Sequence, residues 1–256
     1  MKLTALVLIL IFVGLASAQT SPRIIGGTFA QRGEFPFIAS LQSDGFPFCA
    51  GVLIKKNWIL TSAHCINPDA MQMKIYVGIY NKYQHSGFRA YRPIKIIKHP
   101  SYNPNTTDWD YALIKMDGES RNPVIELNRM DFRIPSGQER PLMVTLAGWG
   151  TYDEVNWNHA AYLNKVQLPV VSLQECKRVY PGMISPRMFC IGYQDGHKNG
   201  CSGDSGGPIL TYTPYGTPLL LGLSSWGSDA GCKQHDAYTV AAKVSSAISW
   251  IEQNTK

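Results

Sequence analysis

Turn residues cut this chain into short apolar and aromatic stretches, and that spacing restricts its fold more than any other feature. The stretches fall at 35–41, 51–60, 74–79, 94–97, 112–116, 143–147, 166–171, 208–212 and 218–224. They are short, rich in β-branched and aromatic residues, and bounded by Gly, Pro, Asn or Ser, so they read as strands of an all-β barrel or sandwich. Helix is expected only in the tail, where Val244, Ala247, Ile248 and Ile251 recur at i, i+3, i+4 and i+7. The 23 glycines and 16 prolines follow no period and only 16% of residues are charged, which excludes a coiled coil, a collagen and a disordered chain. At 256 residues there is room for one large or two modest domains. The expected seam lies between Gly118 and Ser136, where charges and turn residues interrupt the strand pattern.

Residues 1–18 read as a secretory signal: Lys2, an apolar run from Leu3 to Leu15, then Ala16-Ser17-Ala18 as a small-residue cleavage site. No later stretch is long and apolar enough to span a membrane. The expected location is therefore extracellular, and in that oxidising setting the six cysteines should pair, in any of fifteen connectivities. No CxxC or HExxH spacing occurs, so no metal or other cofactor is expected.

The chemistry sits in three separated segments. Cys201-Ser202-Gly203-Asp204-Ser205-Gly206-Gly207-Pro208 sets a hydroxyl among glycines, which let the backbone bend sharply and bring N–H groups near a reacting atom. Ser205 is the candidate nucleophile, and a serine needs a neighbouring base that is itself oriented by a third group. Thr61-Ser62-Ala63-His64-Cys65 and Asp108-Trp109-Asp110-Tyr111 supply both, each beside an apolar strand. The remaining histidines, His85, His99, His159, His197 and His235, have no matched partners and read as surface or structural.

In their order His, Asp, Ser, these segments resemble those of the trypsin-like, chymotrypsin-fold serine proteases of peptidase family S1. Arg23-Ile24-Ile25-Gly26-Gly27, Gly148-Trp149-Gly150, Ser225-Trp226-Gly227 and Ser249-Trp250-Ile251 fit the same family. The resemblance implies two antiparallel six-stranded β-barrels, about 24–130 and 131–256, with the active-site cleft between them and a C-terminal α-helix. It implies a secreted serine endopeptidase in which His64 is the base, Asp110 orients it, Ser225 supports Asp110, and the N–H groups of Gly203 and Ser205 form the oxyanion hole. Residues 19–23 would be an activation pro-peptide. Cutting after Arg23 would free the Ile24 ammonium to pair with Asp204 and order the site. The implied disulfides are Cys49–Cys65, Cys176–Cys190 and Cys201–Cys232.

For the specificity pocket the resemblance points to Asn199, Ser202, Ser225, Trp226, Gly227 and Thr239. Trypsin has an aspartate where this chain has Asn199, so cleavage is expected after uncharged residues, small to medium apolar or aromatic, rather than after Arg or Lys. Thr239 follows from an ungapped count back from Lys243-Val244; a shifted register would place Asp236 in the pocket instead. Between Ala70 and Thr107 there is no Asp or Glu, so the calcium loop of some relatives is not expected, while Lys74, Lys82, Arg89, Arg92, Lys95 and Lys98 suggest a basic 74–98 surface for polyanions. Asn105-Thr106-Thr107 is a glycosylation sequon. Expected partners are protein or peptide substrates, an activating protease, and serpin-type or other protein inhibitors. The chain is expected to be a monomer with no nucleic-acid or membrane partner. The alternative function is an azurocidin-like basic effector on a protease scaffold.

Overall fold

The computed structural model describes residues 24–132, 141–153 and 158–256; the segments read as signal and pro-peptide, with Arg23, lie outside the described residues. From the first half of the chain come β1 (Thr28–Phe29), β2 (Ile38–Ser43), β3 (Phe46–Lys55), β4 (Trp58–Thr61), β5 (Lys74–Val77), β6 (Pro93–Lys98) and β7 (Ala112–Met116). The last six form an antiparallel sheet in the order β5-β2-β3-β4-β7-β6. Ile75 and Tyr91 exchange backbone hydrogen bonds of 2.9 Å, which brings the two edges of the sheet together.

The second half supplies β8 (Glu126–Leu127), β9 (Met143–Gly148), β10 (Thr151–Asp153), β11 (Asn158–His159), β12 (Asn164–Pro169), β13 (Met188–Ile191), β14 (Pro208–Tyr212), β15 (Pro218–Trp226) and β16 (Thr239–Lys243). Six of these run antiparallel in the order β12-β9-β14-β15-β16-β13. The Val170–Ile191 bridge joins the outer two strands. Two very short strands extend the expected six: β1 pairs with β12, and β8 runs parallel to β15. Strands β10 and β11 form a separate small pair.

The stretch 51–60 proves to be parts of two strands, because polar Lys56-Asn57 turns the chain between β3 and β4. Helix is not confined to the tail. Leu173–Val179 forms α1, capped by Ser172, whose Oγ accepts the Glu175 amide at 3.1 Å. The tail is a 3₁₀ turn, Val244–Ala247, leading into α2 (Ile248–Asn254). Its stripe is buried as expected, with Val244, Ala247 and Ile251 all inside.

That stripe packs into the core of the first sheet, beside Leu53, Leu60 and Leu113, although it ends the second half of the chain. Lys55 Nζ donates to Thr255 O at 2.7 Å, and the buried Tyr111 hydroxyl donates to Lys243 O at 2.7 Å. Ile24 lies in the second core with Val144, Phe189 and Ile209. Each half thus lends a segment to the core of the other. The three disulfides join Cys49–Cys65, Cys176–Cys190 and Cys201–Cys232, across separations of 16, 14 and 31 residues, each contributing about 3 kcal/mol by chain entropy.

Tyr111→Phe leaves the Lys243 carbonyl without its buried donor. It should cost about 1–3 kcal/mol in urea denaturation, with an unchanged slope.

Candidate active site

Strand β4 ends at Thr61 and runs into a 3₁₀ turn, Ala63–Cys65, that carries His64. The Cys49–Cys65 bridge and the bond from Thr61 Oγ1 to Ala50 O, 2.7 Å, fix this turn against β3. Asp110 precedes β7 on a loop in which Thr107 (φ 54°) and Trp109 (φ 56°) both adopt left-handed backbone, an expensive state for side chains of that size. The surroundings hold it. The Trp109 ring stacks on His99 at 4.3 Å, the Arg187 guanidinium lies 4.9 Å from its centroid, and Arg187 also grips Asp108 through contacts of 2.6 and 2.9 Å.

The turn aims Asp110 inward, where it is 1% exposed. Its Oδ1 accepts the His64 amide at 2.9 Å and its Oδ2 accepts His64 Nδ1 at 2.8 Å, together with the Ser225 hydroxyl. Burial alone would raise the Asp110 pKa, but the His64 and Ser225 bonds outweigh it and hold the carboxyl below its ordinary value. An ionised carboxylate only accepts, so Nδ1 carries the hydrogen and Nε2 of the neutral ring keeps its lone pair.

Backbone bonds fix the Ser205 loop against the first sheet and against β15. The Ser205 carbonyl accepts Ala50 N at 2.8 Å, and the Ser62 hydroxyl and Gly206 N both donate to Ser224 O, at 3.1 and 2.7 Å. Only glycine fits at 206: φ is 75°, and a Cβ would lie 2.2 Å from Thr61 Oγ1 and 2.4 Å from Ala50 O. The N–H groups of Gly203 and Ser205 donate to no described residue. No hydrogen bond joins Ser205 to His64 among the described residues; His64 Nε2 lies 3.8 Å from Cys65 Sγ. In free enzymes this contact is commonly long and tightens with substrate.

Behind Ser205, Asp204 is completely buried. Gly150 N donates to its Oδ1 at 2.9 Å and Cys201 N to its Oδ2 at 3.0 Å, yet burial prevails and pushes the carboxyl up to about 6. Lys82 provides an opposing pull from a place the sequence did not suggest. Expected on a basic surface, it is 2% exposed, and burial lowers its pKa to about 8 against the attraction of Asp204. A lysine stem long enough to cross between the sheets explains the difference, and no local pattern distinguishes it from its solvated neighbours. Ile24 is buried, and among the described residues it makes no hydrogen bond to Asp204.

A cavity of about 230 Å³ opens beside Ser205 and brings together Asn199, Ser202, Ser225, Trp226, Gly227 and Thr239. At its floor every polar atom of Asn199 is engaged. Its Oδ1 accepts Thr239 Oγ1 (2.7 Å) and Gly200 N (2.9 Å), and its Nδ2 donates to Cys232 O (3.0 Å) and Ala237 O. Thr239 lines this cavity, whereas Asp236 pairs with Arg178 at 2.7 Å outside it. Asp229, which sequence reasoning missed, is the acidic residue of the lining and is solvent-exposed.

Asn105 is exposed on its loop. His85 and His99 stack on Tyr76 and Trp109, His159 contacts Thr151, and His197 and His235 lie beside Asp195 and Asp236. Cys49, His64 and Cys65 converge within 4.8 Å, but both sulfurs are spent in a disulfide and offer no thiolate.

A sequence model of the trypsin family matches residues 24–251. The chain belongs to the trypsin family. It is 35% identical to "Serine protease 1" of Canis lupus familiaris, over 90% of this chain and 89% of the relative. It is 34% identical to "Cationic trypsin-3" of Rattus norvegicus, over 95% and 96%. Among solved structures, mouse neuropsin, described as a serine protease expressed in the limbic system, superposes with a TM-score of 0.78 at 26% identity, covering 90% of this chain and 99% of the other. This member of the trypsin family is a serine endopeptidase.

Asp110→Asn removes the acceptor that fixes the His64 tautomer. By the worked Ser-His-Asp template, itself a member of this family, kcat should fall roughly 10⁴-fold with little change in KM on a peptide ester.

Proposed function

We propose that the protein is a secreted endopeptidase, made as a zymogen, that cleaves after uncharged residues with His64, Asp110 and Ser205 as its triad. The buried Asp110 carboxylate, bonded twice to His64 and once to Ser225 beside the Ser205 loop, carries this reading. His64 Nε2 takes the Ser205 proton as Oγ attacks the substrate carbonyl. The developing oxyanion turns to the N–H groups of Gly203 and Ser205, each donor worth roughly 3 kcal/mol of barrier. His64 then protonates the departing amine, and water, deprotonated by the same ring, releases the acyl group from Ser205. The backbone of Ser225–Gly227 receives the substrate as an added strand.

Specificity follows from the pocket floor. A guanidinium or ammonium buried against a spent Asn199 amide has no counter-charge there, a deficit of several kcal/mol, and exposed Asp229 is screened by water. Thr239 shortens the cavity while Gly227 leaves its side open, which suits small to medium apolar or aromatic groups. Peptide-library profiling of the Arg23-cleaved protein should show such a preference; dominant cleavage after Arg or Lys would refute it. Asn199→Asp should raise kcat/KM for Arg and Lys substrates by more than about tenfold.

Activation rests on Asp204. Once cut after Arg23, the Ile24 ammonium supplies the charge that this buried carboxylate lacks. The carboxyl pKa is raised to about 6, so its burial favours the fold when protonated and ceases to do so as pH rises through that value. An ammonium partner acts in the opposite sense. Cleavage should therefore raise the melting temperature at pH 7, and the gain should shrink below about pH 6 as Asp204 protonates and above about pH 8 as the terminal amine loses its proton. A pH-independent gain would separate activation from this pair.

The family acts on proteins and peptides and is governed by protein inhibitors; an activating protease and serpin-type inhibitors are this chain's proposed partners. Asn105 is a proposed glycan site. Without Lys82, the basic surface keeps exposed Lys74, Arg89, Arg92, Lys95 and Lys98 for polyanions. Ser205→Ala should lower turnover about 10⁶-fold and leave heparin affinity unchanged. Full heparin binding with no turnover in the cleaved wild type would favour the azurocidin-like alternative.

A further inference from the structure

Lys82 has no part in the triad or the pocket, yet it occupies a costly position. Its backbone is fixed on both sides: its amide donates to Ala161 O at 3.0 Å, and its carbonyl accepts Gln42 Nε2 and His85 Nε2, each at 2.9 Å. The ammonium then passes between the sheets and donates to Trp149 O at 3.4 Å. The N–H of that same peptide group belongs to Gly150 and donates to Asp204 Oδ1 at 2.9 Å. A cation on the carbonyl and an anion on the amide polarise one peptide in the same direction, so each bond strengthens the other.

We propose that Lys82 is a positioning residue that holds the Trp149–Gly150 peptide against Asp204, so that the Cys201–Ser205 loop keeps part of its working shape, and a residual reactivity, while the chain is still joined at Arg23. The proposal rests on the roles given above to Asp204 and Ser205. Among groups facing the ammonium, the Tyr83 ring lies 5.4 Å away, and the His159 imidazole has its pKa lowered, by burial first and by Lys82 second. Asp204 is the carboxylate that acts on Lys82. After cutting, the Ile24 ammonium takes over the charge and Lys82 matters less.

The test uses the full chain with Arg23→Gln, which cannot be cut there, and follows labelling of Ser205 by a phosphonate probe. This uncut chain should react, more slowly than the cut protein, and adding Lys82→Met should slow it at least about tenfold further, since a buried carboxylate loses its counter-charge. Lys82→Arg should restore most of the rate and keep it above about pH 8, where the parent with Lys82 fades. In the Arg23-containing protein, Lys82→Met should lose less after cutting than before, and a cooperative melting curve should establish that it folds. Equal labelling with and without Lys82, no rescue by arginine, or equal losses before and after cutting would each overturn the proposal. A cut wild type that does not react would instead overturn the role of Ser205, and this proposal with it.

Discussion

The structure turns on one buried carboxylate whose donors come from both halves of the chain. Asp110 takes two hydrogen bonds from His64, which follows β4 of the first sheet, and a third from Ser225, on β15 of the second. Left without those donors, a buried carboxylate costs several kcal/mol. Docking of the sheets both buries this charge and completes its donors, and it leaves Ser205 and Ser225 lining one cavity. Ala50 to Ser205 and Ser62 to Ser224 are bonds of the same seam. Assembly of the cleft and assembly of the catalytic group are one event.

A second buried acid shows the opposite electrostatic solution. Asp110 is supplied with donors and stays below the ordinary carboxyl range; Asp204 has two backbone amides and a more distant ammonium, and is pushed up to about 6. The first carboxyl favours its charged form. The second is held short of full compensation, which is why the proposed activation works through it. Burial is similar in the two cases, and the number and charge of the donors decide the outcome.

Much of this was legible in the sequence because the signals were local. The stretches 112–116 and 208–212 coincide with β7 and β14, whose apolar runs end at turn residues. Strand β16 was not legible: Thr-Val-Ala-Ala-Lys has too little β-branched character to read as a strand, and only pairing with β13 and β15 makes it one. Helix α1 was not legible, since seven residues carry too short a stripe to outweigh an all-β reading. Motifs in sequence order named His64 and Asp110, which the structure joins by hydrogen bonds, and six residues that line the cavity beside Ser205. Lys82 escaped because burial of a lysine depends on what surrounds it, and its partners Trp149 and Asp204 lie far along the chain. The left-handed Trp109 also escaped, since its stacking on His99 and its cover by Arg187 are tertiary facts.

The exchange of segments between the halves has a consequence for how the molecule comes apart. The first core includes residues of the tail, and Lys55 is tied to Thr255, so a fragment holding the first half alone would uncover apolar surface. Such a fragment keeps His64 and Asp110 but loses a wall of their core. Neither sheet is a self-sufficient folding unit, and heat should dismantle the two in one cooperative transition.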